Sequence, residues 1–159
     1  MAALSSPVDP SRGEKMTPGS VEEIVEVKIP SRTKHLHAMR ILTKNLAESM
    51  GFASKDSEKA ALAVEEALTN VIEHAYHGQE GRRMQVIYEI ENDKLTVRIL
   101  HNGDQIDTSL VPAEDLSLFY RQKKRGGLGI LIMKKCMDEV TYKSGPGMKE
   151  CCMIKYLKR

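Results

Sequence analysis

Tryptophan is absent from this 159-residue chain, and phenylalanine occurs only twice. A core therefore has to be filled by Leu, Ile, Val, Ala and Met, and at 41% hydrophobic residues the chain has enough of them. There are three cysteines, Cys136, Cys151 and Cys152. The odd number and the adjacent pair fit neither a disulfide framework nor a spaced zinc site, so they read as reduced, small apolar residues. No apolar run approaches the roughly 20 residues of a membrane helix, and no apolar signal segment opens the chain, so a cytoplasmic location is expected. A formal net charge of +2 gives no footprint for nucleic acid.

Residues 1–22 hold Ser, Pro, Gly and scattered charges without a period, and a disordered tail is expected there. A single domain is expected over 23–159. Residues 24–29 (IVEVKI) alternate as a half-buried strand that Pro30 ends. Residues 35–50 carry Leu36, Met39, Ile41, Leu42 and Leu46 at helical spacing, with Gly51 as a stop. The other side of that helix shows Lys34, His37, Arg40 and Lys44, which read as a solvated basic face.

Residues 54–78 form the centre of the chain. Ala60, Ala61, Val64, Ala67, Leu68, Val71, Ile72 and Ala75 recur at three- and four-residue steps and predict one amphipathic helix. Ser54 or Asp56 is the expected cap and Gly78 the expected stop. Glu66, Asn70 and His74 step by four, each about 40° round from the last. They make a polar stripe beside the apolar face, flanked by the small residues Ala63 and Ala67. A carboxylate, an amide and an imidazole are thus aimed where another object can approach closely.

Two alternating runs, 84–90 (MQVIYEI) and 95–100 (LTVRIL), flank Asn92-Asp93 and predict an antiparallel hairpin. A bend at His101-Asn102-Gly103-Asp104 closes it. Residues 105–125 have no sustained period, which points to a functional loop or lid. Lys123-Lys124-Arg125 then lead into Gly126-Gly127-Leu128-Gly129 and an apolar helix over 130–137. Glycines at the head of a helix let backbone N–H groups reach an oxyanion, and the helix terminus adds positive potential. Two closing strands, 140–143 and 151–157, surround Gly145-Pro146-Gly147. Hairpins require antiparallel pairing and the helices need a sheet face to cover. The expected class is α+β, a two-layer α/β sandwich with a mostly antiparallel sheet covered on one face by about three helices.

This order of motifs resembles the Bergerat-fold ATPases, and within them the anti-sigma-factor serine/threonine kinases of partner-switching systems. The match runs through Glu65-Glu66-Ala67-Leu68-Thr69-Asn70, through Gly126-Gly127-Leu128-Gly129-Ile130, and in part through residues 101–107 (HNGDQID). The resemblance implies ATP and Mg²⁺ as cofactors. Glu66 is implied as the general base towards a serine hydroxyl and Asn70 as the Mg²⁺ ligand. His74, His101, Gly103, Lys124, Arg125, Gly126, Gly127, Leu128 and Gly129 would line the nucleotide site. The implied partners are a sigma factor and an anti-sigma-factor antagonist, with no nucleic acid and no membrane. Dimers are frequent in this branch, which implies a homodimer. Arg40 falls near an arginine of the family's docking helix.

The chain departs from the pattern at His101, where the family has an aspartate that accepts the adenine amino group. Gln105 and Ile106 also differ, and the threonine expected near the base falls at Glu150 or Cys151. Weaker ATP binding, a base held another way, and loss of nucleotide binding are the three alternatives. The competing function is a catalytically degenerate binding module of the same fold. A detached histidine-kinase catalytic domain and a DNA-binding protein fit the sequence less well.

Overall fold

The computed structural model describes residues 19–109 and 128–159. Five strands form one antiparallel sheet in the order β1-β2-β3-β5-β4. They are β1 (Glu23–Pro30), β2 (Arg83–Ile90), β3 (Lys94–His101), β4 (Glu139–Gly145) and β5 (Met148–Tyr156). Among the described residues, three α-helices cover one face: α1 (Leu36–Ser49), α2 (Ser54–Asn70) and α3 (Leu128–Cys136). This is the expected two-layer α+β sandwich.

Strand alternation sets the layers. Met84, Val86, Tyr88 and Ile90 of β2 and Leu95, Val97 and Ile99 of β3 are buried in the core. The opposite face carries the Arg98–Glu89 and Arg98–Glu150 ion pairs, at 3.2 and 2.7 Å. Register places Ile99 against Cys151 and His101 against Lys149. Cys151 is therefore core and Cys152 faces the other way, and all three cysteines are free. All eight apolar positions expected on the central helix are 0–5% exposed. Burying each of the larger ones contributes roughly 1.5–3 kcal/mol, and the alanines among them let neighbouring helices come close.

Several boundaries differ from expectation for physical reasons. Gly51, at φ 97°, closes α1 as expected, with its N–H on the Glu48 carbonyl and that of Phe52 on the Ala47 carbonyl. By contrast, α2 has no side-chain cap. Its cap position is Ala53, and Asp56 lies within the first turn, where it favours the helix dipole. The central helix is also not regular to Gly78. After Asn70 it widens into a π turn, Val71–Ala75, closed by Tyr76 N–H on the Val71 carbonyl. The Ala75 carbonyl then accepts the Asp104 N–H at 2.9 Å, so the widened turn joins the loop after β3. Arg40 and Lys44 are not a solvated basic face. Arg40 meets Glu65 at 2.8 Å and Lys44 meets Glu58 at 2.7 Å, which ties α1 to α2.

Of the expected tail, residues 1–18 lie outside the described residues, and Glu22 already donates its N–H to the Ile90 carbonyl. Most of the expected lid, together with Lys124, Arg125, Gly126 and Gly127, also lies outside them. No helix among the described residues is long and apolar enough to cross a membrane.

Candidate nucleotide and phosphotransfer site

Glu66 and Asn70 sit one turn apart on α2, and the start of α3 packs against them. The contact depends on Gly129. A Cβ built there would lie 2.9 Å from Glu66 Oε2, 3.1 Å from Asn70 Oδ1 and 3.3 Å from Asn70 Nδ2. A side chain would fill the gap between helix start and stripe. Only a residue without one lets the start of α3 come this close to the carboxylate and the amide.

The two polar groups differ in state. Asn70 is buried, and its Nδ2 donates to Met133 Sδ at 3.7 Å. That contact engages Nδ2 and leaves Oδ1, a hard oxygen ligand that also borders Gly129, free of it. Glu66 is half-buried and has no hydrogen bond or ion pair among the described residues. Burial, then repulsion from Glu65 and Glu73, raises its pKa above the usual carboxylate range, against a smaller opposing pull from Arg40. Its neighbour Glu65 is the one that Arg40 neutralises.

His74 does not join them. It lies on the π turn with its side chain 44% exposed and Nε2 3.9 Å from Glu73. The wider turn shifts the phase of the stripe after Asn70, which a constant helical step does not anticipate.

The first glycine bend is held by packing. A Cβ on Gly103 would meet the Ala75 carbonyl oxygen at 2.6 Å and Tyr76 Cδ1 at 2.7 Å. Tyr76 is buried beneath this bend, and its hydroxyl donates to the Arg83 carbonyl at 2.5 Å. His101 is 4% exposed, packed edge-on against Tyr76 with ring centroids 5.9 Å apart. Its Nδ1 accepts the Gly103 N–H at 3.2 Å. Burial, then the positive charge of Lys149, lowers its pKa to about 4, so the ring is neutral. A cavity of about 30 Å³ borders it, walled by Gln105, Ile106, Tyr142, Lys143, Ser144, Lys149 and Glu150. Tyr142 links this cavity to the first cluster, because its hydroxyl contacts the same Met133 sulfur at 3.8 Å. No local pattern signals Tyr142 or Lys149, since only strand register brings them to His101. A larger space of about 300 Å³ between Lys28 and Arg83 holds none of the predicted site residues.

Residues 29–155 match the histidine kinase-like ATPase domain. The chain belongs to that family. Within this ATPase family it falls in the Bergerat-type anti-sigma-factor kinase branch, as its similarities show. It is 31% identical over 140 residues to serine-protein kinase RsbW of Bacillus velezensis, covering 85% of this chain and 86% of the relative. It is 30% identical over 141 residues to RsbW of Bacillus cereus strain Q1, covering 86% and 87%. The fold is similar to that in the crystal structure of the RsbU and RsbW domains of a Mycobacterium tuberculosis protein. The TM-score is 0.62 at 12% identity, over 86% of this chain and 33% of that one. The ATPase domain implies ATP use, and the serine-protein kinase relatives support kinase activity at the level of the family.

Proposed function

We propose that residues 23–159 act as one ATP-dependent protein serine/threonine kinase domain of a partner-switching system. It phosphorylates an anti-sigma-factor antagonist and, according to the antagonist's state, sequesters a sigma factor. Similarity to the RsbW kinases over most of both chains supports the class. The observation that carries the assignment of residues is the meeting of Glu66 and Asn70 at Gly129.

The donor set suits Mg²⁺. Asn70 Oδ1 is a hard oxygen free of the Met133 contact and would hold the metal, which leaves the Glu66 carboxylate as the base. Bound there, the metal would neutralise phosphate charge. The start of α3 would offer its free N–H groups to phosphate, and Lys124, Arg125, Gly126 and Gly127 would extend the cradle. Glu66 takes the proton from the incoming serine hydroxyl as that oxygen attacks the terminal phosphorus, whose bond to the bridging oxygen breaks to release ADP. Its unpaired, half-buried carboxylate, with a raised pKa, is a stronger base than an exposed one. The residues thus position and neutralise, which is most of what phosphoryl transfer requires.

With Mg-ATP and its antagonist, the purified chain should transfer phosphate to a serine or threonine, and Glu66→Ala should abolish transfer. Antagonist binding without transfer by the wild-type protein would overturn the assignment. The second reading, a binding module without catalysis, is favoured by the small volume beside His101, which is below that of a purine. Calorimetric titration with Mg-ATP separates the two: the absence of heat at high protein concentration establishes the module. A homodimer, cytoplasmic location and docking through Arg40 belong to the same proposal.

A further inference from the structure

We propose that Met133 is a positioning residue for the metal: its thioether fixes which end of the Asn70 amide is offered to Mg²⁺, and Tyr142 holds the thioether in place. The inference rests on the reading above, in which Asn70 Oδ1 is the metal ligand.

A carboxamide is ambiguous as a ligand. Its two ends have nearly the same shape, yet one only accepts and the other only donates, and a half-turn of the side chain exchanges them. Both ends of Asn70 border Gly129, with Oδ1 at 3.1 Å and Nδ2 at 3.3 Å from a Cβ built there. The glycine contact therefore does not choose between them. Only the oxygen can ligate Mg²⁺, so the choice has to be made on another side of the amide.

Met133 stands on that side. Its sulfur lies 3.7 Å from Nδ2. A thioether has no hydrogen to give and can only accept, so the NH₂ end is the one that can face it favourably. Turning the amide over would set oxygen lone pairs against sulfur lone pairs and take the buried NH₂ group from its acceptor. As oriented, Oδ1 has no hydrogen-bond partner among the described residues, and it is not one of the unpartnered side-chain atoms sealed from solvent. The oxygen is thus both free and reachable.

Methionine is a flexible side chain, so its sulfur has to be held for this to work. Met133 is fully buried, and the Tyr142 hydroxyl of β4 donates to its sulfur at 3.8 Å. The contacts run from the sheet through α3 to α2. Met133 lies one turn beyond Gly129 on α3, so the helix that brings the glycine to the polar stripe also sets the amide. Leucine would fill the same space and leave Nδ2 without an acceptor.

The test uses Met133→Leu, which conserves volume and apolar character and removes the sulfur. Calorimetric titration with ATP at a series of Mg²⁺ concentrations reads the Mg²⁺ midpoint. In Met133→Leu the midpoint should rise about tenfold, the low end for losing a group that orients a metal ligand, while ATP binding in EDTA stays as in the wild type. Placed in an Asn70→Asp background, the same substitution should not raise the midpoint, because both ends of a carboxylate are oxygens. Two-dimensional proton–nitrogen NMR of the nucleotide-free chain gives a readout that needs no activity. The Asn70 side-chain NH₂ signals should be single and sharp in the wild type and broadened or doubled in Met133→Leu. An unshifted midpoint overturns the inference and leaves the kinase reading standing. So do an equal rise in the Asn70→Asp background, which would make Met133 a packing residue only, and NH₂ signals that the substitution leaves unchanged. Absence of Mg-ATP binding by the wild type ends this inference together with the kinase reading.

Discussion

Substituting Gly129 by alanine separates a folding role from a positioning role. The change adds one methyl group within 2.9 Å of Glu66 Oε2 and within 3.1–3.3 Å of the Asn70 amide atoms. Ordinary carbon–oxygen contacts are a few tenths of an ångström longer. Glu66 is half-buried, unpaired and has three rotatable bonds, so its carboxylate swings aside at small cost. Asn70 is buried and held by Met133, so its amide yields less. The overlap should cost about 1 kcal/mol, the low end for overpacking. Exchanging glycine for alanine in a helix returns up to about 1 kcal/mol. The two nearly cancel, and the melting temperature should stay within about 3 °C of wild type. Phosphotransfer responds differently, because the methyl group occupies the point where carboxylate, amide and helix start converge. Displacement of base and metal ligand by a fraction of an ångström to an ångström should lower turnover on the order of 100-fold. Labelled phosphate transfer to the antagonist, measured beside a thermal melt, reads both quantities. An unchanged rate with an unchanged melt refutes the convergence. A melt lowered by 10 °C or more, as an order of magnitude, shows that Gly129 is needed for folding alone.

Gly103→Ala is the contrasting case, since its added carbon meets the Ala75 backbone at 2.6 and 2.8 Å and cannot be accommodated by a flexible tip. It should cost roughly 2–3 kcal/mol, or about 5–10 °C in melting temperature, and a wild-type melt would contradict the packing described. Glu66→Gln should lower transfer by at least about 100-fold while leaving the melt at pH 7.5 unchanged or slightly higher, because it removes a charge that burial and like charges disfavour. A lower melt with retained transfer would reassign Glu66 as structural. His101 gives a pH dependence of defined sign. Its folded pKa of about 4 lies below the ordinary histidine value of 6.5, so the unfolded chain binds more protons between those values. Stability from this group is complete above about pH 6.5 and falls as pH drops towards 4, by roughly 2 kcal/mol between pH 7.5 and 5. Denaturant titrations should therefore show a shallower acid loss in His101→Gln by about that amount, and identical slopes would place His101 in solvent.

Patterns with a short period were legible in the chain. The apolar positions of the central helix, the hairpin alternations and the Gly51 stop all follow from local stereochemistry, and the layer architecture follows from the faces they leave to be covered. Glu66 and Asn70 were legible as a pair because one helical turn fixes their relation. For His74 the constant step does not hold, because the π turn intervenes and no residue in Val71–Ala75 announces it. The expected caps at Ser54 and Asp56 failed for a related reason: with Ala53 at the cap position, both residues already lie inside the first turn.

Arg40 and Lys44 looked solvated because their partners, Glu65 and Glu58, lie on another helix. His101 could be recognised as a departure, yet its tautomer depends on the Gly103 N–H and its neighbours on strand register. Sequence by itself thus determined which residues share a face and which side chains carry chemistry, since both depend on bonds a few residues apart. Tertiary structure alone decided what those side chains meet. Gly129 reaches Glu66 from more than sixty positions away, and Lys149 reaches His101 across a sheet. Contacts of that kind are set by packing whole elements together, and no local period encodes them.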